Sequence, residues 1–107
     1  MPQNESMKKE GEIAMKIKIF DLEFEVVEKE SITHCGGEIG LIDHLEQKIY
    51  ILSSLSEERK KIVLLHETLH SIFQQLGFDK EHDDERLISS VATALYQVFQ
   101  DNKAIFS

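Results

Sequence analysis

The hydrophobic residues of this chain change their spacing once, near residue 53, and this change constrains the fold more than any other feature. Before it, apolar residues mostly alternate with polar ones, which predicts two strand pairs, one turning near Phe20-Asp21 and one between Asp43 and Glu46. After it, apolar residues recur every three or four positions, which predicts helices. Strands followed by helices indicate an α+β fold with a small, three- to four-stranded, mostly antiparallel sheet.

Capping signals delimit the two helices of the second half. The serine-rich segment 53–56 supplies N-cap hydroxyls, and Gly77 stands where a C-cap glycine is expected. A short charged connection is predicted over residues 78–84. A final helix of about five turns is predicted to follow it, from the spacing of apolar residues between Leu87 and Phe99.

The length of 107 residues fits one domain. Residues 1–14 are polar and aperiodic, which predicts a disordered tail before a domain over residues 15–107. The net charge of -8 argues against a nucleic-acid surface, and no apolar run is long enough for a membrane span or a signal peptide. Because Cys35 is the single cysteine, no internal disulfide can form, and we expect a cytoplasmic location. The oligomeric state is left open.

The segment His-Glu-Thr-Leu-His at positions 66–70 lies within the first predicted helix. Residues four apart lie on one helix face, so His66 and His70 could bind one zinc ion. Glu67 would then lie beside the ion, as general base on a zinc-bound water. The alternative is an amphipathic helix with two solvated or hydrogen-bonded histidines. A catalytic zinc site needs a third protein ligand. A longer zinc motif supplies it as a histidine that follows a glycine, but here Phe73 and Leu76 occupy those two positions, so the third ligand must come from elsewhere.

Glu85, at the start of the last helix, is the preferred third ligand. It shares one helix face with Ile88, Ala92 and Leu95, which are predicted to point inward. The alternative is an ordinary glutamate at a helix N-terminus, where the helix dipole favours a negative charge. His82 is the reserve candidate, since histidine is the commonest metal ligand.

Three segments resemble the ImmA/IrrE-type zinc metallopeptidases, particularly short single-domain members from phage and prophage genomes. These segments are the Ser-Glu-Glu-Arg-Lys-Lys helix start, LLHETLH, and ERLISSVATALYQVFQDN, within about residues 49–102. The resemblance implies a zincin-like core with an active-site helix and a C-terminal ligand-bearing helix. It implies His66, His70 and Glu85 as zinc ligands and Glu67 as general base. It also implies a protein substrate, such as a repressor of a mobile element.

A peptidase also needs a place for its substrate. Residues 47–51 are predicted to form an edge strand that could hold a peptide by strand addition, although an ordinary sheet strand fits the pattern as well. Tyr50, Tyr96 and His34 are candidates for stabilising the oxyanion, and the sequence does not select among them.

Two further residues near the predicted turns bear on metal binding. Cys35 could be a ligand, as in deformylase-type enzymes, but a lone cysteine is more often a small buried hydrophobe. His44 follows Asp43 in a predicted turn and is expected to be solvated. The acidic run from Asp79 to Asp84 is likewise predicted to be a solvated surface.

Three functions follow from these observations. The first is a zinc-dependent peptidase that acts on a protein or peptide, with neither nucleic acid nor a membrane as partner. The second is a non-catalytic, zinc-stabilised interaction module of phage origin, suggested by the small size of the chain. The third is a structural protein of a phage particle in which the motif is incidental.

Overall fold

The computed structural model describes residues 13–32 and 38–106 and confirms the α+β class. The predicted tail lies outside the described residues except for its last two positions, which begin the first strand. The elements in chain order are β1 (Ile13–Ile19), β2 (Leu22–Lys29), β3 (Gly40–Asp43), β4 (Lys48–Leu52), α1 (Glu57–Leu76), α2 (Asp79–His82), α3 (Glu85–Asp101) and α4 (Lys103–Phe106).

The four strands form one mixed sheet in the order β1-β2-β4-β3. Both predicted hairpins are present, because β1 pairs antiparallel with β2 and β3 pairs antiparallel with β4. The two hairpins are joined by a parallel pairing of β2 with β4, in which Val26 lies opposite Ile49. Phe20 and Gln47 adopt positive φ angles of 57° at the hairpin turns. The sheet is therefore antiparallel at two of its three pairings.

The prediction that residues 47–51 form an edge strand is wrong. Strand β4 lies inside the sheet, between β2 and β3, and its Ile49 and Ile51 side chains are buried. Alternating hydrophobicity reports which face of a strand is buried but not whether both of its edges are paired. In the described sheet, the outer strands are β1 and β3.

The predicted helix boundaries are confirmed. The Ser56 hydroxyl accepts a hydrogen bond from the backbone N–H of Arg59 at 3.1 Å, and Gly77 ends α1 in the left-handed region at φ 82°. The connection after α1, predicted to be short and charged, contains the single-turn helix α2. The Asp84 carboxylate then caps α3 by accepting from the N–H of Leu87 at 3.0 Å.

Helix α1 lies between two hydrophobic clusters. The first, called here the sheet cluster, packs α1 on the strands; its buried members are Ile19, Phe24, Val26, Ile49, Ile51 and Val63. The second, the helix cluster, packs α1 on α3; its buried members are Leu69, Ile88 and Ala92. Among the described elements, α3 contacts only other helices. None of the described helices combines the length and apolar character that a bilayer span requires.

Candidate metal centre

The three predicted ligands lie together where α1 faces the start of α3. The Nε2 atoms of His66 and His70 are 3.2 Å apart. The Glu85 carboxylate spans them, with one oxygen 2.9 Å from His66 Nε2 and the other 2.8 Å from His70 Nε2. One ligand atom from each residue falls within 4.8 Å of the others. These residues form a group that could hold a metal ion.

Local structure explains how residues nineteen positions apart come together. His66 and His70 are one helical turn apart on α1, so their side chains project from the same face. Glu85 is the first residue of α3, directly after the Asp84 cap. The fully buried Ile88 and Ala92 hold this part of α3 against α1. The cap and the buried residues therefore determine where Glu85 lies.

The spacing of the nitrogen atoms suits a metal ion. Two ligands at 2.0–2.1 Å from one tetrahedral ion are about 3.3 Å apart, close to the 3.2 Å between the two Nε2 atoms. The Glu85 side chain is 67% exposed, which leaves one side of the group open to an added ligand. Two imidazoles and a carboxylate suit zinc and several other divalent ions, so the donor set does not fix the metal.

Glu67 is a buried carboxyl group beside this centre. Its side chain is on α1 and only 6% of the residue is exposed. Burial, followed by the negative charges of Glu85 and Glu38, raises the pKa of Glu67 to about 8. A strongly perturbed carboxyl in a cleft is typical of functional sites.

Gly40 on β3 makes the room that Glu67 occupies. A Cβ atom at this position would lie 2.4 Å from Val63 Cγ1 and 3.0 Å from Glu67 Oε2, so only glycine fits without displacement. Sequence reasoning did not identify Gly40. A glycine inside a predicted strand was the available signal, because such glycines mark close approaches.

The electrostatic environment of His70 favours its neutral form. Burial lowers the pKa of His70, and the positive charges that His66 and His82 would carry lower it further, whereas Glu85 and a hydrogen bond to the His82 backbone raise it. The net direction is downward. Neutral imidazole is the form that binds metal ions.

His82, the reserve ligand, lies behind His70 and not with the three ligand atoms. Its Nδ1 is 3.2 Å from Nδ1 of His70, the ring nitrogen that points away from Glu85. His82 is partly buried, whereas the other acidic and basic residues of α2 are exposed, as predicted for this segment.

The prediction that His44 is solvated is wrong. Its ring packs edge-on against Phe24 at 6.0 Å and His82 at 5.9 Å, and its Nε2 is buried without a hydrogen-bond partner among the described residues. Burial, then the neighbouring His82 and His70, lowers the pKa of His44. Because His44 follows Ile42 by two positions, it continues the strand alternation onto the inner face, and this signal could have located it.

An open cleft of about 970 Å³ adjoins the centre, between β3 and the helices. Neither Tyr50 nor Tyr96, two of the three candidates for stabilising the oxyanion, lines it. The Lys29 ammonium lies over the Tyr50 ring instead, 5.1 Å from the ring centre. His34 and Cys35 lie outside the described residues. Polar side chains that line the cleft and that sequence reasoning did not single out are Glu38, Arg59, Ser89 and Thr93.

Comparison of the chain with protein-family models, with curated proteins and with solved structures found no match. The resemblance to ImmA/IrrE-type peptidases therefore stays a prediction.

Proposed function

We propose that this chain is a zinc-dependent peptidase with a zincin-like core. In this proposal His66, His70 and Glu85 hold the ion and Glu67 is the general base. The observation that carries it is the convergence of three ligand atoms within 4.8 Å beside the buried carboxyl group of Glu67, which lies on the same helix as the two histidines. A purely structural ion would not require Glu67 to be buried next to it.

The ion, when bound, would polarise the scissile carbonyl and activate a water molecule. Glu67 would accept a proton from that water and pass it to the leaving amine. The carboxyl group suits this role because its raised pKa of about 8 lies near neutrality, where a base can both gain and release a proton. A nearby cation would lower this pKa and favour the ionised base.

The substrate would lie along β3. This strand is at the edge of the described sheet, and Gly40, its first residue, lies directly against Glu67. An extended peptide added to that edge would use backbone hydrogen bonds and run past the centre. Strand β3 thus takes the role that the sequence had suggested for residues 47–51.

The biological substrate is proposed from the resemblance to ImmA/IrrE-type peptidases alone. It is a regulator of a phage or other mobile element, such as a repressor, acted on in the cytoplasm. An extended segment of such a protein would fit an open cleft beside a strand edge.

The test combines metal content with peptide hydrolysis. We expect about one zinc per chain by plasma mass spectrometry after zinc loading and removal of excess metal. His66→Ala should lose the metal, and Glu85→Gln should bind it more weakly. Glu67→Gln should keep the metal and lose cleavage of a mixed peptide library read by mass spectrometry. Glu23→Gln, which changes an exposed glutamate on β2, is the matched control.

A second candidate is a non-catalytic module that uses zinc to hold its helices together. The observation that favours it is that the ligands come from both α1 and α3, while α3 contacts no described strand. Full function of Glu67→Gln, with zinc bound, would support this module over the peptidase. A wild-type protein that binds no zinc would refute both.

A further inference from the structure

The two histidines of the centre each have a second ring nitrogen with its own partner. His66 and His70 both direct Nε2 toward Glu85, so an ion would bind on that side. A neutral imidazole that binds metal through Nε2 carries its proton on Nδ1. Each Nδ1–H then needs an acceptor, and such acceptors orient the ligand and tune its basicity.

The structure supplies a different acceptor for each ring. Ser89 Oγ lies 3.3 Å from His66 Nδ1. His82 Nδ1 lies 3.2 Å from His70 Nδ1. The His82 backbone also interacts with the His70 ring, so this one residue offers both a side-chain and a backbone partner.

The His82 ring is itself held in place by its neighbours. It meets the His70 ring edge-on, at a centroid distance of 5.0 Å and an interplanar angle of 88°. It also meets the His44 ring, at a centroid distance of 5.9 Å and an interplanar angle of 77°. His44 in turn packs against the fully buried Phe24 of the sheet cluster. The rings of His82, His44 and Phe24 thus connect His70 of the metal centre to the sheet.

We propose that His82 is a positioning residue for the metal centre, whose Nδ1 accepts the Nδ1–H of His70. This inference rests on the proposed zinc site. It requires His82 to be neutral with its own proton on Nε2, because a nitrogen that carries a proton cannot accept one. It also removes His82 as a fourth ligand, since its nearer nitrogen faces the far side of His70.

The hydrogen bond that His82 accepts can be tested separately from the packing of its aromatic ring. The usual acceptor behind a metal-binding histidine is a carboxylate, a backbone carbonyl or a water. An imidazole acceptor is uncharged, so it orients His70 without adding negative charge to it. A variant with an acidic side chain at position 82 should therefore bind zinc at least as tightly as the wild type.

Zinc affinity of four variants, measured by competition with a chromophoric chelator, tests this. His82→Leu keeps bulk without an acceptor, and we expect about 10- to 100-fold weaker binding. His82→Asn places its amide oxygen near the former Nδ1 and should stay within a few-fold of wild type. His82→Asp should bind at least as tightly as wild type. Ser89→Ala, which removes the partner of His66, should also weaken binding.

The outcomes separate this inference from the proposed function. If wild type binds no zinc, the metal site itself fails, and the proposed role of His82 fails with it. If wild type binds zinc and His82→Leu binds equally well, the backbone carbonyl serves and only the role of the His82 side chain is refuted. If Asn, Asp and Leu are equally weak, ring packing matters and the acceptor role is again refuted.

A measurement on the unaltered protein guards against a variant that fails to fold. Long-range ¹H–¹⁵N spectra of the zinc-loaded, ¹⁵N-histidine-labelled protein report which ring nitrogen carries the proton. We expect His70 protonated on Nδ1 and His82 protonated on Nε2 alone. A proton on Nδ1 of His82 would overturn the proposal.

Discussion

The two sides of helix α1 are packed by very different means. On one side, the sheet cluster brings together side chains from β1, β2, β4 and α1 around Phe24 and Ile49, both fully buried. On the other, the helix cluster joins α1 to α3 through Leu69, Ile88 and Ala92. Strands in the first are also joined by backbone hydrogen bonds, whereas helices in the second are joined by side chains. The metal centre lies on the second side.

The C-terminal end of α3 shows how limited the packing between α1 and α3 is. Val98 is 44% exposed, and Ile105 and Phe106 of α4 are 74% and 57% exposed. Packing of α3 is therefore concentrated in its first half, near Glu85. An ion bound by His66, His70 and Glu85 would link the two helices where the helix cluster is buried, and would add most to stability there.

Two fully buried isoleucines provide the sharpest test of this comparison. Ile49→Ala and Ile88→Ala remove the same atoms from the sheet cluster and the helix cluster. We expect each to lower the free energy of unfolding by about 2–5 kcal/mol, with Ile49→Ala the larger loss because the strands around it cannot move to close the cavity. Urea denaturation of the zinc-free protein measures both.

Zinc affinity should also distinguish Ile49→Ala from Ile88→Ala. Ile88 is one turn from Glu85, so Ile88→Ala should loosen the third ligand and weaken zinc binding, while Ile49→Ala should leave it unchanged in the folded protein. Equal zinc affinity in the two variants would mean that the helix cluster does not position Glu85.

Glu67 should make the zinc-free protein less stable as pH rises. Its folded pKa of about 8 lies above the usual 4.5, so between these values the folded state keeps a proton that the unfolded state has lost. The unfolded state then binds fewer protons, and the free energy of unfolding falls with pH across this window and levels off above it. Glu67→Gln removes this loss, and we expect it to stabilise the zinc-free protein on the order of 5 kcal/mol above the window, since each pKa unit corresponds to about 1.4 kcal/mol.

Denaturation in the presence of chelator at several pH values across the window measures this difference. Glu23→Gln, at an exposed position on β2, is the control and should follow the wild type at every pH. A constant offset between Glu67→Gln and wild type, independent of pH, would show that Glu67 is not protonated in the folded zinc-free protein.

Gly40 belongs to both parts of this comparison. It lies in the sheet, on β3, and it is also next to Glu67 of the candidate site. Gly40→Ala would bring a methyl group 2.4 Å from Val63 Cγ1, and we expect this crowding to cost about 1–3 kcal/mol. The double variant Gly40→Ala/Val63→Ala should lose less stability than the sum of the two single variants, because it relieves the closest contact. Strictly additive losses in thermal or urea denaturation would place the crowding elsewhere.

Sequence periodicity predicted the local elements but not how they pair. The hairpins, the Ser56 cap and the Gly77 cap follow from neighbouring residues, so they were predictable. The parallel pairing of β2 with β4 depends on contacts between distant segments, and no local pattern encodes it. For that reason the sequence pattern predicts an edge strand at residues 47–51, whereas β3 is the strand that lies at this edge of the sheet.

The residues of the candidate site likewise differ in whether the sequence could predict them. His66, His70 and Glu85 were predictable because helical spacing alone places each on an inward face. The contact of His44 with His82 and the position of His82 behind His70 were not, since both depend on how a turn and a short connection fold back on α1.

Loss of a helix cap should change stability least, and only one of the two caps should affect zinc binding. Ser56→Ala and Asp84→Ala each remove the side chain that caps one helix, and each should cost about 1 kcal/mol of unfolding free energy. Ser56 is distant along α1 from the ligands, so its loss should leave zinc affinity unchanged. Asp84 precedes Glu85, so its loss should fray the first turn of α3 and weaken zinc binding a few-fold. Asp84→Ser keeps a capping oxygen and removes the charge; it should restore zinc affinity, and equal weakening in both Asp84 variants would assign the effect to charge instead.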